Sequence, residues 1–161
     1  MILKRINYLI LMVVFALAGF VYHQHSSEKM INQLDAIFAC DQFKVTIPHH
    51  GGYAATTFGK GILRIHLQTK DSTYQLRYKD AIDRRKLEFI IDKEEYCQLK
   101  NLFAKLIEIH NPTKKLSGNC LTIDHNYILE TNHQKLVIKP DKDLSESNCL
   151  MNWLYSKELN N

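Results

Sequence analysis

The sequence predicts an α+β fold: an N-terminal membrane-spanning or signal helix, followed by one antiparallel-sheet domain with helices packed on one face. Three observations carry this reading. Ile6 to Tyr22 contains no charged side chain. The segments around residues 63–67, 74–79 and 87–91 alternate apolar and polar residues across short polar bends, the pattern of a meander with one dry and one wet side. Helical spacing of apolar residues recurs before, between and after the strand-like segments, which suits helices gathered on one side of a sheet.

The leader is decided by length and charge. Leu9 to Val21 is an unbroken apolar run of 13 residues, the size of a signal-peptide core and shorter than the roughly 18 residues that argue for a spanning helix. Ala16-Leu17-Ala18 is a small-x-small pattern, so cleavage after Ala18 is one outcome. Phe20, Val21 and Tyr22 continue the run past that point. With Ile6–Tyr8 added and Lys4 and Arg5 snorkelling, an uncleaved anchor is the other outcome, and the one preferred. Lys4 and Arg5 precede the run and Lys29 alone follows it closely, which keeps the amino terminus in the cytoplasm. The expected organisation is a cytoplasmic stretch at 1–5, an anchor or signal at 6–22, a juxtamembrane helix at 23–39 and an extracytoplasmic α+β domain at 40–161. The expected location is the inner membrane, single-pass with the C-terminal domain in the periplasm; cleavage at Ala18 would make the domain periplasmic or secreted.

Each element has its own signal. Ser26-Ser27-Glu28 reads as a helix start, and Met30, Ile31, Leu34, Ile37 and Phe38 share a face, predicting a helix over 28–39 that is either separate from the anchor or continuous with it. Phe43, Val45 and Ile47 alternate with Lys44 and Thr46 as a strand that Pro48 should end. Residues 49–61, HHGGYAATTFGKG, hold four of the six glycines and predict a long loop. Three strands follow, with a turn at Lys70-Asp71-Ser72. Asp92-Lys93-Glu94-Glu95 has capping-box form and opens a helix whose stripe is Tyr96, Leu99, Phe103, Leu106, Ile107 and His110, the last placed where its charge would suit the negative end of the helix dipole. Asn111-Pro112 ends it. Leu121–Ile123 predicts a short strand, and Tyr127–Thr131 with Lys135–Lys139 a hairpin around Asn132-His133-Gln134. Asp143 to Ser147 starts a last helix carrying Leu150, Trp153 and Leu154.

Composition narrows the function. The formal charge is +4, but outside the leader 19 basic side chains face 17 acidic ones, which gives no concentrated basic signature of a nucleic-acid binder. Cys40, Cys97, Cys120 and Cys149 all follow the leader. An even count in an oxidising compartment predicts two disulfides, with Cys40–Cys97 and Cys120–Cys149 favoured among three pairings. In the chain-entropy model the second loop would contribute roughly 3–4 kcal/mol. No C-x-x-C, H-E-x-x-H or G-x-S-x-G occurs, and the residues around Gly59-Lys60 lack the glycine and hydroxyl of a phosphate loop. Neither a metal nor a cofactor is expected, nor an enzyme; an envelope hydrolase would require a cleft pairing an acid with a base.

Recognition by surface remains. The glycine-rich loop and the wet sides of the strands supply His49, His50, Tyr53, Phe58, Lys60, Arg64, His66 and Arg77 as candidate contacts for another protein of the cell envelope. The stretch Leu11-Met12-Val13-Val14 is similar to the start of type IV pilins. No Gly-Phe processing site precedes the run, however, and Asn7 and Tyr8 occupy the region of the family's glutamate, so no family is assigned. The expectation is a non-enzymatic, tethered or exported protein-binding domain of inhibitor or immunity type. The alternative is a structural subunit of an envelope-spanning secretion or surface-appendage machine.

Overall fold

The leader and the juxtamembrane segment form a single helix, α1 (Ile2–Phe38), in the computed structural model, which describes residues 2–50, 58–80, 86–110, 126–140 and 144–159. Ser26-Ser27-Glu28 therefore lies within a helix rather than at its start. A serine caps by receiving amide donors that lack intrahelical acceptors, and a helix already running through this point leaves none. The two halves of α1 have opposite character. Met12 and Phe15 are 75% and 69% exposed, with Leu11, Val13, Val14, Leu17 and Val21 also in the open. Met30, Leu34, Ile37 and Phe38, at i, i+4, i+7 and i+8, are buried. Among the described residues no helix is long and apolar enough to cross a membrane, so the fold alone does not bear out a spanning segment.

Six antiparallel strands follow: β1 (Gln42–His50), β2 (Phe58–Gln68), β3 (Thr73–Lys79), β4 (Lys86–Ile91), β5 (Tyr127–Glu130) and β6 (Lys135–Ile138). They lie in the order β4-β3-β2-β1-β5-β6. The first four form the predicted meander. Helix α2 (Lys93–Glu108) then carries the chain back so that β5 pairs with β1 on its free side. The register aligns residues in rows across the sheet, and alternate rows have opposite fates. Leu87, Tyr78, Leu63, Val45, Leu129 and Leu136 make one row, and all are buried. They face α1, α2 and α3 (Leu144–Leu159), whose buried residues join the same core. One side of the sheet is thus dry under three helices, as the period-two alternation predicts.

The helix layer is fastened where α1 ends. Phe38 packs its ring 4.8 Å from Phe43, 5.1 Å from Tyr96 and 6.0 Å from Phe103. Its carbonyl, left without an intrahelical donor at the helix end, accepts the Tyr96 hydroxyl at 2.8 Å. Tyr74 stacks on Tyr96 at 3.6 Å, and Lys100 reaches Asp35 of α1 at 2.8 Å. Burial pushes the Tyr96 phenol well above its ordinary range, with Tyr74, Cys40 and Cys97 adding to the effect, so it acts here as a neutral donor. The capping box of α2 forms as predicted. Glu95 N–H donates to Asp92 Oδ1 at 2.9 Å and Asp92 N–H to Glu95 Oε2 at 3.1 Å. On the far side of α2, Leu150 and Leu154 of α3 are buried, Trp153 meets Phe89 edge-on at 6.3 Å, and Lys157 pairs with Glu95.

Three expectations change. Strand β1 runs through Pro48 to His50, and Pro48 pairs opposite Lys60. Among the described residues β5 flanks β1 only at Lys44–Thr46, so no described strand pairs with Pro48 on that side, a setting in which a proline is tolerated. The predicted loop over 49–61 is therefore partly ladder. Second, Cys40, Cys97 and Cys149 carry free thiols, so the expected Cys40–Cys97 link is not made here. Cys40 Sγ turns back to the Ala36 carbonyl at 3.4 Å, and Cys97 sits on the solvent side of α2. Cys120 and the predicted strand Leu121–Ile123 lie outside the described residues. Third, His110 does not present a charge to the end of α2. Its Nδ1 accepts the Lys139 amide at 2.9 Å, which requires that nitrogen unprotonated.

Gly61 gives a sharp test of sheet packing. A Cβ at Gly61 would run into the ring of Tyr78, itself buried and hydrogen-bonded to Asp80 at 3.1 Å. Gly61→Ala should therefore cost about 1–3 kcal/mol through overpacking, read as a lower midpoint in chemical denaturation.

Candidate functional site

The same alternation that dries one face of the sheet leaves the other uncovered by any helix among the described residues. Next to the buried row lies a second row, one residue along each strand: Glu88, Arg77, Arg64, Lys44, Glu130 and Lys135. Its outer members are paired. Arg77 Nη2 lies 3.1 Å from Glu88 Oε1, which also accepts Gln75 Nε2 at 2.6 Å. Lys44 Nζ lies 2.6 Å from Glu130 Oε2, and Lys135 Nζ lies 3.2 Å from Oε1 of the same carboxylate. Arg64 has Arg77 opposite it on one side and Lys44 on the other, and it finds no hydrogen-bond or ion-pair partner among the described residues. Like charges directly opposite across strands repel. The centre of the row is a single unpaired cation, Arg64, between two cations that are each held by a carboxylate.

Arg64 lies in an open groove of about 820 Å³, lined also by His66, Gln42 and Gln75 and walled by the β5–β6 turn, Thr131 to Gln134. That turn is fixed by Thr131, whose Oγ1 accepts the amides of Gln134 at 2.9 Å and His133 at 3.2 Å. Toward the Pro48 end the next row is mixed: Ile62, Ile128 and Val137 are half-buried, while Lys79 and Lys86 at its β3–β4 side are exposed. A smaller depression of about 520 Å³ lies beside α1, among His25, Glu28, Lys29 and Gln134. Among the described residues no group of three His, Cys, Asp or Glu side chains could hold a metal ion.

The structure brings together three of the sequence-derived contact residues: Arg64, His66 and Arg77 all line the groove. Lys60 lies on the same bare face, toward the Pro48 end and outside the groove. The backbones of His49, His50 and Phe58 pair between β1 and β2, their side chains are not described, and Tyr53 lies outside the described residues. Sequence reasoning missed Lys44, Gln42, Glu130 and the Thr131–Gln134 turn. Alternation did place Lys44 on the wet side of its strand. What the sequence does not carry is the pairing of β1 with β5, which brings the hairpin alongside. Compared with known proteins, the chain matches no family model, no curated protein and no solved structure.

Hydrogen bonds from Lys44 and Lys135 hold the Glu130 carboxyl below its ordinary pKa. A carboxylate with a depressed folded-state pKa adds stability that is complete above the unfolded value and lost as pH falls through the folded one. Glu130→Gln should therefore melt below the wild type at neutral pH, and the gap should close as pH falls below the ordinary glutamate range. Thermal melts across that range check this; a gap independent of pH would contradict it.

Proposed function

We propose that this chain is a non-enzymatic protein-binding domain of inhibitor or immunity type, held at the periplasmic side of the inner membrane by the apolar half of α1. The observation that carries the reading is the one-sided sheet. Helices cover one face, while the other presents a groove with a cationic centre, amide side chains beside it and a partly apolar margin, the mixture found at wet protein–protein surfaces. The anchor is supported by the exposed apolar side chains of the first half of α1, a greasy cylinder that water disfavours and lipid accepts. Lys4 and Arg5 before the run favour a cytoplasmic amino terminus. Cleavage after Ala18 would release the same domain with its groove intact.

The second reading, a structural subunit of an envelope-spanning machine, has one observation in its favour. Among the described residues no side chain and no other element lies within 4 Å of a Cβ placed on Gly19, so a second membrane helix has room to approach beside Ala16 and Ala18.

Affinity capture of the full-length protein from solubilised membranes separates the two. A binding module should bring down one partner in stoichiometric amount, and Gly19→Leu should leave that capture unchanged. A large complex that Gly19→Leu disrupts would favour the structural subunit. Recovery of the protein in the soluble cytosolic fraction would contradict both.

A further inference from the structure

We infer that the groove takes a short, extended acidic segment of the partner protein, with carboxylates two residues apart seated over Arg64. The inference rests on the protein-binding reading above and names the chemistry of its partner. Arg77, Arg64 and Lys44 stand on neighbouring strands, about 4.8 Å from one to the next and so about 10 Å in all. In an extended segment, side chains on one face repeat every 6.8 Å or about that, so two alternate carboxylates fit within the span. Arg64 is the group they would satisfy. It is exposed, it has no partner among the described residues, and a cation faces it on either side. An arriving anion would relieve that repulsion and accept from a planar fork of donors.

Glu88 lies beyond Arg77 and Glu130 beyond Lys44, and each carboxylate is already held by its neighbouring cations. Arg64 is thus the position in this row left for an incoming carboxylate. The arrangement also carries a signature that a structural arginine would not show. If Arg64 is retained for binding, the unbound protein bears its repulsion, and removing the charge should leave the fold as stable or more so.

The test uses the full-length protein in detergent micelles and a fluorescent peptide of alternating glutamate and serine, with an alternating glutamine and serine peptide as control. Anisotropy should show the glutamate peptide bound at least about tenfold tighter than its control, with affinity falling as salt rises from about 50 to about 300 mM. Arg64→Gln should remove most of that preference while its melting temperature equals or exceeds the wild type's. Salt dependence of the unaltered protein stands as evidence even where a variant folds poorly. Equal binding of the two peptides or an undiminished preference in Arg64→Gln would overturn the inference. Capture from solubilised membranes separates the two levels. A partner held equally by wild type and Arg64→Gln overturns the acidic segment and spares the binding reading, whereas no partner with either overturns both.

Discussion

Phe38 is the last residue of the leader helix, and its side chain is already part of the domain core. Its ring lies against Phe43, Tyr96 and Phe103, and its carbonyl takes the Tyr96 hydroxyl. A buried hydrogen bond of this kind contributes about 1 kcal/mol net, but leaving the carbonyl unmet would cost more. The joint determines what α1 is. Without it, the second half of α1 would be an amphipathic helix with no partner for Met30, Leu34 and Ile37. With it, those side chains complete the helix layer beside α2, and the first half of α1 projects as a continuous extension of a packed element.

The asymmetry of the sheet follows from the same layer. α1, α2 and α3 share one core with the inward row of every strand, so the outward row meets no helix among the described residues. Most charges on that face are balanced by neighbours: Glu88 holds Arg77, and Glu130 holds both Lys44 and Lys135. In the row that crosses the groove Arg64 is the exception among the described residues, and on the same face Lys79 and Lys86, opposite each other on β3 and β4, likewise lack a partner there. A near-neutral domain can thus concentrate positive charge through strand order alone, without any excess of basic residues in its composition.

Local chemistry was legible in the sequence, and long-range pairing was not. The meander from Leu63 to Ile91, the Asp92–Glu95 capping box and the hairpin around Asn132 to Gln134 all depend on residues near one another in the chain, and each was readable. The passage of β1 through Pro48 was missed because it depends on the ladder with β2, where Pro48 pairs opposite Lys60. The role of His110 was misread because its partner, the Lys139 amide, lies 29 residues away. The same limit applied to the site. Arg64, His66 and Arg77 were found because strand alternation exposes them. Lys44 and Glu130 joined them only through the β1–β5 register, which no periodicity encodes. The expected cysteine pairing was inferred from count and compartment; geometry instead directs Cys40 back toward α1 and Cys97 outward.

The central claim is that partners meet this protein on the bare face of the sheet and not on its helices. Site-specific photocrosslinking in the intact envelope tests it most directly. A photoreactive residue replacing His66, exposed on the groove, should yield a discrete adduct with another protein. The same residue replacing Gln98 on α2 or Asn152 on α3, both exposed on the helix layer, should yield none. Adducts from the helix positions with none from His66 would contradict the account.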